Sequence, residues 1–149
     1  MITKTSKYFL WVFTCLTFSL FGQFVQAENL PKVLLAPDAY AMQQAGELEI
    51  FDIRTPTEWH NTGVTKGAKL VTMHQPDGPL AFLEAMKLSV KGDMDKPIAV
   101  ICATGNRSGW AQSFLSDNGF NNITSISEGM MGRGNLPGWL ARKLPTTQP

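Results

Sequence analysis

The stretch that most constrains this chain is Pro97-Ile-Ala-Val-Ile101, an apolar run ending directly on Cys102-Ala-Thr-Gly-Asn-Arg-Ser108. The helical pattern Gly109-Trp-Ala-Gln-Ser-Phe-Leu115 follows at once. A short continuous apolar run suits a strand buried on both faces, as in a parallel sheet covered by helices. Ligands of such sheets bind beyond the carboxyl ends of the strands. Cys102 stands at such an end. The backbone N–H groups of a tight, glycine-containing loop can converge on one point, and the helix N-terminus adds partial positive charge there. Both effects favour a thiolate, the reactive form of cysteine. Cys102 therefore reads as a nucleophile inside an anion cradle made by Ala103, Thr104, Gly105, Asn106, Arg107 and Ser108. The plainer alternative is an inert buried cysteine packing as a small hydrophobe. Its place at the end of the strand, rather than inside it, argues against that.

The flanking sequence extends the alternation of strand and helix. Ala36 to Gly46 has helical composition, with Pro37 and Asp38 as start signals and Gly46 as a stop. Leu48–Ile53 reads as a strand, and Thr55-Pro-Thr-Glu-Trp-His60 as a helical turn with Thr55 as cap and Glu58 three residues on. Ala68–Thr72 is a second short strand, Asp77-Gly-Pro79 a turn, and Leu80–Val90 a helix. The helix from about Ser108 stops near Asn118-Gly119, Ile123–Ile126 is a weak final strand, and an amphipathic piece surrounds Trp139. Together these predict an α/β fold with a mainly parallel sheet. Asp52 and Arg54 fall at the carboxyl end of their strand, on the same rim as Cys102. Asp52 is expected to cap the Thr55 turn, and Arg54 to make a surface ion pair or to shape the rim. Trp59, Trp110 and Trp139 are expected in the core, with Trp110 near enough to the loop to wall a pocket. Met130 and Met131 are read as packing residues.

The amino terminus has a different character. Lys4 and Lys7 precede an apolar or hydroxylic run from Tyr8 to Gly22, and Val25-Gln-Ala27 supplies the small residues of a cleavage site. That pattern predicts a signal peptide over residues 1–27 and a single domain over 28–149, periplasmic or secreted. The run falls short of the ~20 residues of a spanning helix, so no stable membrane insertion is expected. Thr14 before Cys15 does not suit lipoprotein processing. Cys15 leaves with the leader, so Cys102 has no partner for an internal disulfide. Loss of Lys4 and Lys7 takes the formal charge from +1 to −1. A near-neutral chain without basic clusters gives no reason to expect nucleic acid as a partner.

Spacing separates the chemistries open to such a loop. A tyrosine-phosphatase loop has five residues between cysteine and arginine; here four intervene, giving a pocket better matched to one sulfur atom than to a tetrahedral oxyanion. His60 and His74 lack metal-ligand spacing and read as surface histidines, so no metal or other cofactor is expected. With one cysteine a dithiol mechanism is excluded.

The pattern Asp52-x-Arg54-x-x-x-Glu58-Trp59-x-x-x-Gly63-x-x-x-Gly67-Ala68, then Cys102-x-x-Gly105-x-Arg107-Ser108, Glu128-Gly129 and Trp139 before Leu144-Pro145, resembles a single-domain rhodanese. The resemblance runs from about Pro37 to Pro145. It departs from the family at Val64-Thr65-Lys66, where His-Ile-Pro is usual, and at Ala103, often arginine in thiosulfate-using members. It implies a three-layer sandwich with a mainly parallel central sheet flanked by helices. It also implies a sulfurtransferase that moves a sulfane sulfur from a small-molecule donor, through a Cys102 persulfide, to a thiol or cyanide-like acceptor, a protein thiol included. On this reading the loop N–H groups hold the terminal sulfur, Arg107 braces the loop through Glu58, and Ser108 caps the following helix rather than bonding the sulfur. Asp52, Arg54, Glu58 and Trp110 are rim or supporting residues. The alternatives are a binding module of the same fold without turnover, and a small-anion phosphatase or reductase.

Overall fold

The computed structural model describes residues 30–149; the expected leader and its cleavage site at Ala27 lie outside them. The central strand is β5, Ile98–Ile101, and every one of its residues is buried. Its side chains alternate between two cores. Ile98 and Val100 face a cluster with Phe82, Met86, Ala111, Leu115 and Phe120. Ala99 and Ile101 face a second cluster with Ala36, Ala39, Ile50, Ile126 and Trp139. A strand with both faces covered in this way needs apolar residues at every position, which is why the run has no polar member. Each Ile or Val so buried contributes about 1.5–3 kcal/mol.

Around β5 lie β2 (Glu49–Asp52) on one side and β6 (Ile123–Ile126) on the other, with β4 (Lys69–Leu70) and β1 (Val33–Leu34) at the edges. All four pairings are parallel, and Asp52 lies opposite Ile101. The helices α1 (Ala36–Gln44) and α5 (Gly138–Ala141) contribute to one core, and α3 (Pro79–Ser89) and α4 (Asn106–Asp117) to the other. The result is the three-layer α/β sandwich expected from the sequence. Two further strands, β3 (Val64–Thr65) and β7 (Thr146–Thr147), form a small antiparallel ribbon. The sequence reading missed β1, β3 and β7, because two residues are too few to display a period. For the same reason the strand expected over Ala68–Thr72 is reduced to Lys69–Leu70.

Between β2 and β3 the helix α2 (Pro56–Thr62) begins with a capping box. Thr55 Oγ1 accepts the Glu58 N–H at 3.3 Å, and Glu58 Oε2 accepts the Thr55 N–H at 3.0 Å. The cap of this turn is therefore Thr55 with Glu58, and the expected capping role of Asp52 is not what the fold uses. Asp52 is wholly buried and Arg54 is 1% exposed. The Arg54 Nε donates to both Asp52 oxygens at 2.9 and 3.0 Å, and Nη2 donates to Oδ2 at 2.6 Å. Trp59 Nε1 adds a bond to Oδ1 at 3.0 Å. Arg54 is thus neither a surface ion pair nor a rim residue. Nη1 donates to Thr62 Oγ1 and Nη2 also to the Gly63 carbonyl, both at 2.7 Å, which ties the far end of α2 to the end of β2. A second buried carboxylate, Glu128, receives the Ala36 and Gly138 N–H groups at 2.7 and 2.9 Å and the Arg142 Nε, joining the starts of α1 and α5. Buried charges persist only when paired this fully.

Candidate active site

Cys102 follows β5 immediately and is wholly buried. Its sulfur accepts the Gly105 N–H at 3.1 Å and the Ser108 N–H at 3.4 Å, with Ser108 Oγ at 3.6 Å. The loop turns back on its own cysteine because Gly105 adopts φ +88°. A Cβ at that position would lie 1.7 Å from the Ser127 carbonyl oxygen, so glycine is required both by the backbone angle and by the space. The loop's first carbonyls point the other way: Met130 N–H donates to Cys102 O at 2.9 Å and Met131 N–H to Ala103 O at 2.8 Å. With these carbonyls paired elsewhere, the Gly105 and Ser108 N–H groups face the sulfur. Negative charge on the sulfur is met by these donors, as an oxyanion hole meets oxygen.

The turn that pairs those carbonyls could not be placed from sequence. Gly129, at φ +62°, packs so closely that a Cβ would sit 2.5 Å from Ala103 O and 2.6 Å from Cys102 O. The only hint in the sequence was the Glu128-Gly129 pair. Met130 is buried in the core, whereas Met131 is 57% exposed.

Ser108 differs from expectation. It lies in the first turn of α4, whose N-cap is Gly105 without a side-chain cap. The Ser108 hydroxyl donates to Gly105 O at 3.1 Å while its N–H serves the sulfur. It is a sulfur-facing residue rather than a cap, because α4 starts at Asn106, two residues earlier than its apolar pattern suggested.

Arg107 clamps Glu58. Nη1 donates to Oε2 at 2.9 Å, and Nη2 makes a second, shorter bond to Oε1. The Arg107 hydrogen bond holds the Glu58 carboxyl at a pKa of about 2, well below its usual 4.5, and bonds from Thr55 help. The same contact raises the Arg107 pKa. Glu58 thus serves two structures at once, the capping box of α2 and the cysteine loop. His74 is exposed and its Nε2 lies 3.5 Å from Arg107 Nη1.

Trp110 is not a core residue. It is 45% exposed and stacks on Phe114 at 4.8 Å between ring centroids, one helical turn away. It walls a cavity of about 370 Å³ that opens behind the loop, with Lys32, Gly105, Asn106, Ser125 and Arg133 also lining it. Asn106 is exposed and its Oδ1 accepts from Arg133 Nη1. Ala103 and Thr104 are half-buried.

A cysteine at the carboxyl end of a central parallel strand, its sulfur met by the Gly105 and Ser108 N–H groups of the loop that follows, defines a cysteine-loop α/β domain. The chain belongs to the Rhodanese-like domain family, whose pattern matches residues 35–133. Sulfurtransferases are among its relatives. Thiosulfate sulfurtransferase GlpE of Stutzerimonas stutzeri (strain A1501) is 32% identical over 91 residues, 61% of this chain and 73% of that protein. The polysulfide-sulfur transferase homodimer of Wolinella succinogenes superposes with a TM-score of 0.56 at 26% identity, covering 77% of each chain. A protein of Rhodopseudomonas palustris CGA009 described as a possible tyrosine phosphatase, RPA3614, superposes with a TM-score of 0.58 at 26% identity over 78% of this chain and 84% of that one.

Proposed function

We propose that this chain is a sulfurtransferase carrying a sulfane sulfur as a persulfide on Cys102. The observation that carries the reading is the pair of N–H donors, from Gly105 and Ser108, directed at one sulfur at 3.1 and 3.4 Å. The Cys102 thiolate attacks the outer sulfur of the donor. The new S–S bond forms as the donor's own S–S bond breaks, and its electron pair leaves with the remainder of the donor (sulfite, when thiosulfate is used). A thiol or cyanide-like nucleophile then attacks the terminal sulfur, and the thiolate returns as leaving group. The loop N–H groups stabilise the anion at each stage. Arg107, engaged with Glu58, holds the loop closed around the sulfur. Four residues between Cys102 and Arg107 support sulfur over phosphate as the occupant. The basic start, apolar run and Ala27 support export to the periplasm or medium.

Incubation with thiosulfate and cyanide, with thiocyanate as readout, tests the reading. Thiocyanate formation by the parent protein and not by Cys102→Ser supports it, as does a mass increase of one sulfur on Cys102. Equal activity of the two proteins refutes it. Hydrolysis of a phenyl phosphate, lost in Cys102→Ser, would favour the phosphatase chemistry instead. A set of bound proteins unchanged by Cys102→Ser, with no turnover, would favour a binding module. Amino-terminal sequencing of the exported protein checks cleavage after Ala27.

A further inference from the structure

Ser125 lies in the middle of β6, where both faces of the sheet are covered and neighbouring Ile123 and Ile126 are core residues. Its hydroxyl is buried with 2% exposure and donates to Ser108 Oγ at 3.0 Å. Burying a hydroxyl is unfavourable without a partner, and an alanine would fill the place with no polar group to satisfy. Ser108 has no structural need of this partner, since its own hydrogen already has the Gly105 carbonyl at 3.1 Å. The sulfur lies 3.6 Å from the same oxygen. Sulfur, Ser108 Oγ and Ser125 Oγ therefore form one chain. Ser125 also lines the cavity behind the loop, together with Lys32, Ser127 and Arg133. Cys102 has no solvent exposure of its own. The hydroxyl chain runs from the buried sulfur to a residue that lines this cavity.

We propose that Ser125 is a positioning residue that acts through Ser108, the two hydroxyls forming a proton route from Cys102 to the cavity behind the loop. The inference rests on Cys102 being the reacting nucleophile. The Ser108 O–H first turns from the Gly105 carbonyl to Ser125 Oγ, and the Ser125 O–H turns towards the cavity. The S–H proton then passes to Ser108 Oγ, the Ser108 proton to Ser125 Oγ, and the Ser125 proton to a solvent water or buffer base in the cavity. The sulfur keeps the S–H electron pair and becomes thiolate. At the end of the transfer Ser108 donates to the anionic sulfur and Ser125 donates to Ser108, the direction of the Ser125 bond in the structure. Two O–H groups in series polarise one another, which strengthens the bond to sulfur. The proton thus leaves behind the loop.

Two assays on the whole protein test this: alkylation of Cys102 by iodoacetamide at neutral pH, and thiocyanate formation from thiosulfate and cyanide. Ser125→Ala is expected to slow alkylation and kcat about ten-fold, the effect of losing one hydrogen bond that supports a charged group. The KM for thiosulfate stays unchanged, and Ser125→Thr, which keeps the hydroxyl, restores the rate. The Ser108→Ala/Ser125→Ala double variant should be no slower than Ser108→Ala, because Ser125 acts only through Ser108. Parental alkylation by Ser125→Ala overturns the proposal, as does a loss confined to KM, or losses that multiply in the double variant. Alkylation does not depend on sulfur transfer, so it separates failure of this inference from failure of the sulfurtransferase reading.

Discussion

Replacing Arg54 by methionine removes the cation from a buried pair while keeping much of its apolar volume. The parent guanidinium makes three contacts to the Asp52 oxygens between 2.6 and 3.0 Å and two more, at 2.7 Å each, to Thr62 Oγ1 and Gly63 O. In Arg54→Met the Asp52 carboxylate keeps only Trp59 Nε1, at 3.0 Å, and the backbone N–H of residue 54, at 3.1 Å. A wholly buried charge stripped of its partner costs about 3–5 kcal/mol. Against the roughly 5–15 kcal/mol that stabilises a domain, that is about a fifth of the total or more. At about 3–5 °C per kcal/mol for a chain of this size, Tm should fall by roughly 10–20 °C. Thermal unfolding followed by circular dichroism measures it. The double variant Asp52→Leu/Arg54→Met removes both charges and should be more stable than Arg54→Met alone. A Tm drop below about 3 °C in Arg54→Met, or a double variant less stable than the single, would show that the pair does not behave as a buried charge network. The consequence reaches the site. Arg54 fixes the far end of α2, and α2 carries the Glu58 that clamps Arg107. Thiocyanate formation by Arg54→Met, measured well below its Tm, should therefore fall several-fold while Cys102 remains intact.

Two further predictions concern the loop and its clamp. Gly105→Ala combines a left-handed φ of +88° with a Cβ 1.7 Å from Ser127 O, so the loop must open, with a stability loss of about 2–4 kcal/mol and sulfur transfer reduced at least ten-fold; chemical denaturation and thiocyanate formation read the two effects, and a fully active, equally stable variant would contradict the geometry. Glu58, with its pKa held at about 2 against 4.5 in the unfolded chain, contributes stability that is fully present above pH 4.5 and lost as pH falls from there towards 2. Because the pair is partly open to solvent, the contribution is about 1 kcal/mol. Urea midpoints between neutral pH and pH 3 should decline less steeply in Glu58→Gln than in the parent, and identical slopes would refute the assignment.

Much of the fold was legible because its signals are local. Ile98–Ile101 carries its burial in four consecutive side chains, and Thr55-Pro-Thr-Glu58 carries a helix start in one turn. The contact between Arg107 and Glu58, 49 residues apart, was reachable because both residues announce a two-pronged ion pair. Other features left no such trace. Asp52 and Arg54 look like ordinary charged residues at the end of a strand, and only the closing of α2 over them makes them a buried pair. Ser108 looked like a cap because the apolar pattern of α4 begins after the true start of the helix. Trp110 looked like a core aromatic, yet its position on α4 turns it outward.

The cysteine loop itself divides along the same line. The sequence alone placed Cys102 at the end of a buried strand, put glycine where the loop must turn and spaced Arg107 for a six-residue ring. These are properties of contiguous residues. That the sulfur is sealed from solvent, that Gly129 and Met130 pin the loop carbonyls outward, and that Ser125 stands behind Ser108 were decided by the packing of β6 and its following turn against β5 and α4. Those contacts join residues 17 to 28 positions apart. No local pattern encodes them, because the partner of each group is fixed by where the sheet brings the chain back.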